Sequence, residues 1–296
     1  MTVHQWIILF ILIKTINERM KFRGKIVDPH CMKQFYSIVI ILSKLCKSVV
    51  LRLSSNKLYL IALNESNNNQ ISVWSVLDQH SFFKDYDMIG ETESNEIFFS
   101  LPIDMFASSL SSAKQTNLKT LKMKLTDKHS PCLTIELELE SQVSSKQLCV
   151  HDIPVTIILP KDWPEYNEPA IPSHNISVIM PSIRVVRHIV DKMKRIGPRL
   201  KVSLDSSGKM VLGVSNLSAT VDTHFVGLEV IGIQSATGKE NKYSTVVDIK
   251  KISQFLNCDT LNFAKILCHV VEGLLLHCSI EENEYVLHYF LSEIDD

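Results

Sequence analysis

Neither sign of charge prevails in this chain of 296 residues: 31 Lys and Arg stand against 32 Asp and Glu, a formal net charge of -1. A protein that gathers a polyanion by bulk attraction is usually strongly basic, so any anion-binding surface here has to come from segregated charge. Long apolar runs are lacking too. "WIILFILI" at 6–13 offers eight residues where a bilayer crossing needs about twenty. No Lys or Arg precedes it and no small-residue cleavage site follows, so it does not match a signal peptide and no membrane attachment is expected. The seven cysteines (Cys31, Cys46, Cys132, Cys149, Cys258, Cys268 and Cys278) are odd in number and never spaced C-x-x-C, which excludes a zinc ribbon and a dithiol redox centre. Reduced, mostly buried thiols are the simpler expectation.

Catalytic signatures are missing as well. No H-E-x-x-H or G-x-S-x-G occurs, and no cluster of carboxylates suggests a two-metal nuclease. "ATGKE" at 236–240 has Glu240 where a phosphate loop needs Ser or Thr, and Ile233 where it needs its first Gly. In "CHVVEGLLLHC" (268–278), a turn at Glu272-Gly273 sets Cys268 opposite His277; two converging ligands do not make a structural zinc site, which takes four. The expectation is a protein that is not an enzyme, with no cofactor and no metal.

What is present is a plan stated twice. From Met20 the pattern reads strand ("KFRGKIVD"), helix over 30–47, then a hairpin "VVLRL"–"SSNK"–"LYLIAL". The second half repeats it: "ISVIMP", a helix over 182–196, and the hairpin "LKVSL"–"DSSGK"–"MVLGVS". The Asn and Gly of the two hairpin turns suit positive φ. Each half closes with a second short helix ("PIDMFASSLSSA", "DIKKISQFLN") and further strands. In "PCLTIELELE" strict alternation turns Leu133, Ile135, Leu137 and Leu139 inward and Glu136, Glu138 and Glu140 outward, opposite Lys122 and Lys124. "PKDWPEYNEPAIPSHN" (160–175), with four prolines, reads as a linker. The expected organisation is a first domain over 20–159, the linker 160–175 and a second domain over 176–296. Residues 1–19 are an extension or sequence upstream of a true start at Met20. Each domain is α+β, an antiparallel sheet with two helices on one side.

The opening helix of the second half, "IRVVRHIVDKMKRIG" (183–197), carries five Arg and Lys and a single acid. On a helical wheel Ile183, Val185, Val186, Ile189, Val190, Met193 and Ile196 form one arc, and Arg184, Arg187, His188, Lys192, Lys194 and Arg195 the other. Ordinary solvated faces mix signs to gain i,i+4 pairs; this one barely does. The matching helix of the first half places Lys33, Lys44 and Lys47 on its polar side. Aromatic platforms for single strands are absent from these faces, so the expected ligand is duplex backbone, read without sequence preference.

At this point the residues resemble a family. "MKFRGKIVD", "LTDKHSPCLTI", "HDIPVTII", "VDKMK", "DTHF", "QFL" and "HYF" are similar, in order and spacing over residues 20 to about 292, to the hydroxyurea-sensitive (HUS) subunits of the nine-one-one DNA-damage checkpoint clamp, a branch of the PCNA-like sliding clamps. The resemblance implies a ring of three different subunits of two domains each, with the helices lining a channel around double-stranded DNA. It implies an alternative RFC-type clamp loader, support of checkpoint-kinase signalling, repair enzymes as clients, and a nuclear (also cytoplasmic) location. The channel face would then comprise Lys33, Lys44, Lys47, Arg184, Arg187, Lys194, Arg195 and, on the second domain's short helix, Lys250. The subunit edges would be the strands around 145–152 and 209–216, with Gln147, Cys149, His151, Met210, Leu212 and Val214. Ser108, Ser109 and Ser112 stand where clamp channels usually carry cations. The alternatives are a homotrimeric replication-type clamp and a docking scaffold that does not enclose DNA.

Overall fold

The computed structural model describes residues 20–63, 71–90, 92–111, 118–140, 147–171, 173–233, 242–257 and 265–294. The extension 1–19, "ATGKE" and Ser112 therefore lie outside the described residues. The chain divides into two compact units, Met1–Leu63 with Ser75–Asn167, and Asn64–Trp74 with Glu168–Asp296.

The first half runs β1 (Lys21–Ile26), α1 (Pro29–Leu45), β2 (Ser48–Leu53), β3 (Lys57–Leu63), β4 (Ile71–Asp78), a single turn α2 (Gln79–Phe82), β5 (Asp85–Ile89), β6 (Ile97–Pro102), α3 (Ile103–Ser109), β7 (Leu118–Asp127), β8 (Pro131–Leu139) and β9 (Gln147–Pro154). A short β10 (Thr156–Ile157) and a 3-10 helix, Pro160–Tyr166, follow. The second half runs β11 (Ile176–Ile179), α4 (Ile183–Met193), β12 (Arg199–Asp205), β13 (Met210–Ser215), β14 (Thr220–Phe225), β15 (Val230–Ile233), β16 (Lys242–Asp248), α5 (Ile249–Leu256), β17 (Ile266–Val271), β18 (Leu275–Glu281) and β19 (Tyr285–Ser292). Apart from α2, the two halves have the same element order.

Strand pairing repeats as well. In the first unit one sheet is ordered β5-β1-β7-β8-β9; in the second the corresponding run is β15-β11-β17-β18-β19. The run β6-β2-β3-β4 likewise corresponds to β16-β12-β13-β14. The pseudo-repeat read from the sequence is thus a repeat of topology and not only of pattern.

Local chemistry explains the helix positions. Asp28 caps α1, accepting from the backbone N–H of His30 at 2.6 Å and Cys31 at 3.1 Å, and Pro29 sits at the first helical position. The helix ends at Leu45, so Lys47 lies beyond it, in the connection to β2, rather than on a helix reaching 47. Asp248 caps α5 through Lys250 N–H at 2.8 Å. In each unit the long helix packs on the short one; Phe35 of α1 and Phe106 of α3, both fully buried, meet edge to face at 5.9 Å.

The alternation in β8 is observed: Leu133, Ile135, Leu137 and Leu139 are buried, while Glu136 pairs with Lys124 and Glu138 accepts from Thr120. The hairpin turns differ from expectation in one detail. Gly208 takes φ +78, and a Cβ there would lie 2.3 Å from Leu228 O, so glycine is required twice over. Asn56 is not among the described residues with positive φ; its turn is closed by Ser54, whose hydroxyl accepts from Lys57 N–H at 3.1 Å. The expected linker is also partly structured. Over 160–166 it forms the 3-10 helix, with Trp163 stacked on Phe98 at 4.5 Å and its indole N–H donating to Ile158 O at 2.9 Å. Its aromatic residues hold it to the first unit where its prolines alone suggested a free tether.

Candidate nucleic-acid interface

Helix α4 buries Ile183, Val186, Val190 and Met193, a stripe one residue wide per turn. Arg184, His188 and Lys192 are exposed and Arg187 is half-buried. Val185 does not join the apolar arc: it is 49% exposed, on the cationic side. The α-helix stops at Met193, so Lys194 is its C-cap and Arg195 sits in the turn that follows; both remain exposed. Lys194 is tied to the neighbouring helix. Its Nζ donates to Ser253 Oγ of α5 at 3.2 Å and lies 3.9 Å from Asp191, whose carboxylate also accepts from Ser253 at 3.1 Å. Lys250 is exposed on the first turn of α5.

In the first unit Lys33 and Lys44 project from α1 and Lys47 from the loop behind it, all exposed. Of the serines on α3, Ser108 is exposed and Ser109 is buried, its hydroxyl donating to Phe106 O at 2.8 Å. Ser109 thus faces the core, and the short helix contributes no cation among the described residues.

The two strands expected at subunit edges fare differently. Among the described residues β9 ends its sheet, with β8 on one side and no strand on the other. Gln147 and His151 are exposed and Cys149 half-buried, and Leu148 and Val150 expose 56% and 49% of their surface. A groove of about 520 Å³ runs between this strand and α3, lined by Asp104, Met105 and Ser108 on one side and Val150 to Ile153 on the other. The expectation for 209–216 is wrong. β13 lies inside its sheet between β12 and β14, and Met210, Leu212 and Val214 are at most 2% exposed. Met210 and Leu212 point into the core against Val186 and Val190 of α4 and Ile252 and Leu256 of α5. The outer strand is β14, the stretch containing "DTHF", which the sequence reading did not count as a strand; Val221 is exposed on it.

The β17–β18 hairpin also departs from its reading. Val271 pairs with Leu275 around a three-residue turn with Gly273 at φ +67, so Cys268 faces Cys278 and His269 faces His277. A two-residue turn would have set Cys268 against His277; the extra residue, Leu274, shifts the whole strand by one. The residues so brought together include two histidines, and His174 from the segment before β11 joins them. No helix among the described residues is long and apolar enough to cross a membrane.

Comparison with known proteins decides the relationship. The family model described as "Hus1-like protein" matches residues 20–295. The chain belongs to the Hus1-like protein family. Human "Checkpoint protein HUS1" is 34% identical to this Hus1-like chain over 92% of it and 99% of the human protein; "Checkpoint protein Hus1-like" of Drosophila melanogaster is 28% identical over 93% and 99%. Among solved structures, PCNA of Thermococcus kodakaraensis superposes with a TM-score of 0.67 at 14% identity over 92% of this chain and 99% of that one. PCNA of Entamoeba histolytica gives 0.66 at 11% identity, with 93% and 99% covered. The fold of this Hus1-like chain is therefore the sliding-clamp fold, and the family match begins at residue 20, where the strand–helix pattern begins.

Proposed function

We propose that this Hus1-like chain is a non-catalytic subunit of a heterotrimeric checkpoint clamp that encloses duplex DNA without reading its sequence. The observation that carries the proposal is the pairing of two features in one chain. Each unit presents a helix whose cations point away from its own apolar residues, and β9 and β14 end their sheets with exposed apolar residues and backbone groups that no strand pairs among the described residues of their own unit. Edge strands of this kind favour addition of another chain. Their use as contacts would close a ring of such subunits with the cationic helices inside it.

In that ring Lys33, Lys44, Lys47, Arg184, Arg187, Lys194, Arg195 and Lys250 face phosphate, and Gln147, Cys149 and His151 on β9 meet the β14 edge of a neighbouring subunit. Topological closure makes weak, sliding contacts sufficient, which fits a net charge of -1. Two other clamp subunits, an RFC-type loader and repair enzymes are its partners, in the nucleus, where the loaded ring supports checkpoint-kinase activation. The names of the curated relatives, checkpoint proteins all, support this reading.

The test is assembly followed by retention. Mixed with two partner subunits, the chain should give one species of equal stoichiometry that stays on end-blocked duplex and slips off when an end is freed. A stable homotrimer of this chain alone would replace the proposal with a replication-type clamp. Assembly without end-dependent retention would replace it with a docking scaffold.

A further inference from the structure

We infer that His174 and His277 form a two-imidazole site for a divalent first-row transition ion, with His288 as the positioning residue behind His277. The site lies wholly in the second unit and is independent of DNA binding and ring closure.

Three separate pieces of chain build it. Asn175 donates its backbone N–H to Val270 O at 3.1 Å and accepts from Glu272 N–H through its side chain at 2.9 Å, which clamps the segment before β11 across the β17–β18 turn. That clamp lays His174 over the hairpin. The three-residue turn brings His269 and His277 to directly opposed positions on the same face, and β19 adds His288. One ring nitrogen from each of His174, His269 and His277 lies within 4.8 Å of the others.

The pair geometry selects two of the three. His174 Nε2 and His277 Nδ1 are 2.9 Å apart. Two imidazole nitrogens bound at right angles to an ion about 2.05 Å away are separated by about 2.9 Å, and a tetrahedral angle widens this to about 3.4 Å. The other nitrogen of His277, Nε2, lies 3.0 Å from His288 Nδ1. Donation of that N–H to His288 leaves the Nδ1 lone pair directed at His174, the arrangement by which a second imidazole fixes tautomer and ring angle of a metal-ligating histidine.

His269 has a different part. It stacks face to face on His174 at 4.1 Å and 19° and on His277 at 4.7 Å and 23°. An imidazole ligates in its own plane, so a ring stacked on both others does not aim its nitrogens at an ion between them. Its nitrogens are engaged elsewhere: Ser279 Oγ donates to Glu281 at 3.2 Å and so accepts from His269 Nε2–H at 3.0 Å, leaving Nδ1 to accept from Ser177 Oγ–H at 2.7 Å. His269 is the wall of the site, and Phe290, stacked on His277 at 4.6 Å, is the other side.

Entry and charge are also provided for. His277 is 1% exposed, whereas His174 is half-buried and opens the site to solvent. Glu281 acts on His174 and His288, and Glu168 on His288, each favouring positive charge there. Neutral imidazoles without carboxylate or thiolate ligands suit Zn²⁺, Ni²⁺ and Cu²⁺ and not Mg²⁺ or Ca²⁺. Two protein ligands leave positions for water, so the site exchanges its ion and is not a structural zinc.

The experiment uses the full chain, stripped with EDTA and dialysed. Zn²⁺ or Ni²⁺ at 100 µM should raise its melting temperature, by on the order of 5 °C at saturation, and Mg²⁺ should not. The variant His174→Gln keeps a donor toward His277 Nδ1 and alters a half-exposed side chain, so it should melt near wild type without metal and lose the metal response at least tenfold in concentration. The variant His188→Gln, on the basic helix, should respond as wild type. One equivalent of Cu²⁺ should show coupling to imidazole nitrogen in its paramagnetic resonance spectrum, reduced in His174→Gln. The inference is overturned if neither Zn²⁺ nor Ni²⁺ raises the melting temperature, if His174→Gln responds as wild type, or if His188→Gln abolishes the response.

Discussion

The long helices of the two units occupy the same place in the same topology and are built on opposite principles. α1 has seventeen residues and buries Cys31, Met32, Phe35, Tyr36, Ile38, Val39, Ile41 and Leu42. At 100° per residue these cover an arc of about 220°. α4 has eleven residues and buries Ile183, Val186, Val190 and Met193, an arc of about 80°. The first helix is a core element with two lysines, Lys33 and Lys44, on its narrow polar face. The second is a cationic surface held on by a narrow apolar stripe. Equivalent position therefore does not mean equivalent work: the first helix contributes mostly packing where the second contributes mostly charge.

The largest effect is expected in the core of the first unit. Phe106→Ala removes the ring that joins α3 to α1 and should cost about 3–5 kcal/mol, read as a lowered denaturation midpoint. A cost below about 1 kcal/mol would mean that the helix pair of the first unit is not the packing element it looks to be.

Acid should act on the second unit. In the metal-free protein burial lowers the pKa of His269 to about 3 and of His277 to about 2, each helped by neighbouring imidazoles, and lowers His174 and His288 in the same direction. The folded state therefore binds fewer protons than the unfolded state below pH ~6.5. The contribution of these groups is complete above that pH and is lost as pH falls toward the folded values. By pH 5 each of the two buried rings should have forfeited about 2 kcal/mol. Histidine-selective NMR or a pH series of melting curves checks this, and stability that is flat between pH 7 and 5 would contradict it.

The edge strand comes next. Leu148→Glu with Val150→Glu places two charges on the outer face of β9 and should weaken subunit assembly at least tenfold in sedimentation, while the melting temperature of the isolated chain moves little. Smallest are the helix cations. Arg184→Glu, Arg187→Glu and Arg195→Glu together should leave folding nearly unchanged and reduce retention on end-blocked duplex, with a shallower salt dependence. The matching change at Lys33 and Lys44 should do the same more weakly. Equal effects from both helices would show that the asymmetry in charge has no consequence for DNA.

Much of this was legible before any coordinates. Four leucines and isoleucines at alternate positions between Leu133 and Leu139 can only be one face of a strand, and a hairpin with a polar turn recurring after each long helix can only be a repeated unit. What the sequence hid depends on counting single residues. Leu274 in a turn rather than a strand moved β18 by one position and traded a cysteine–histidine pair for two histidines. His174 was invisible as a ligand because it lies in a proline-bearing stretch with no period of its own. "TVDTHF" is mostly polar, as an outer strand can be, so its pattern does not mark β14 as a strand and leaves β13 looking like the edge. Hydrophobic pattern carries Lys47 and Arg195 onto helices that stop at Leu45 and Met193, because helix ends vary by a residue or two and are set by capping.

The stacking of Trp163 on Phe98 has an optical consequence. Trp74 is 1% exposed and enclosed in protein, whereas Trp163 is half-buried, held by one ring contact and one hydrogen bond from its indole nitrogen. Excited-state emission from these two of the chain's three indoles, compared in a Trp6→Phe background, should accordingly differ in colour and in access to a dissolved quencher. The segment that leads from one half of the chain to the other carries its own fluorophore, and its detachment from the first unit would register as a red shift and new quenching without any added label.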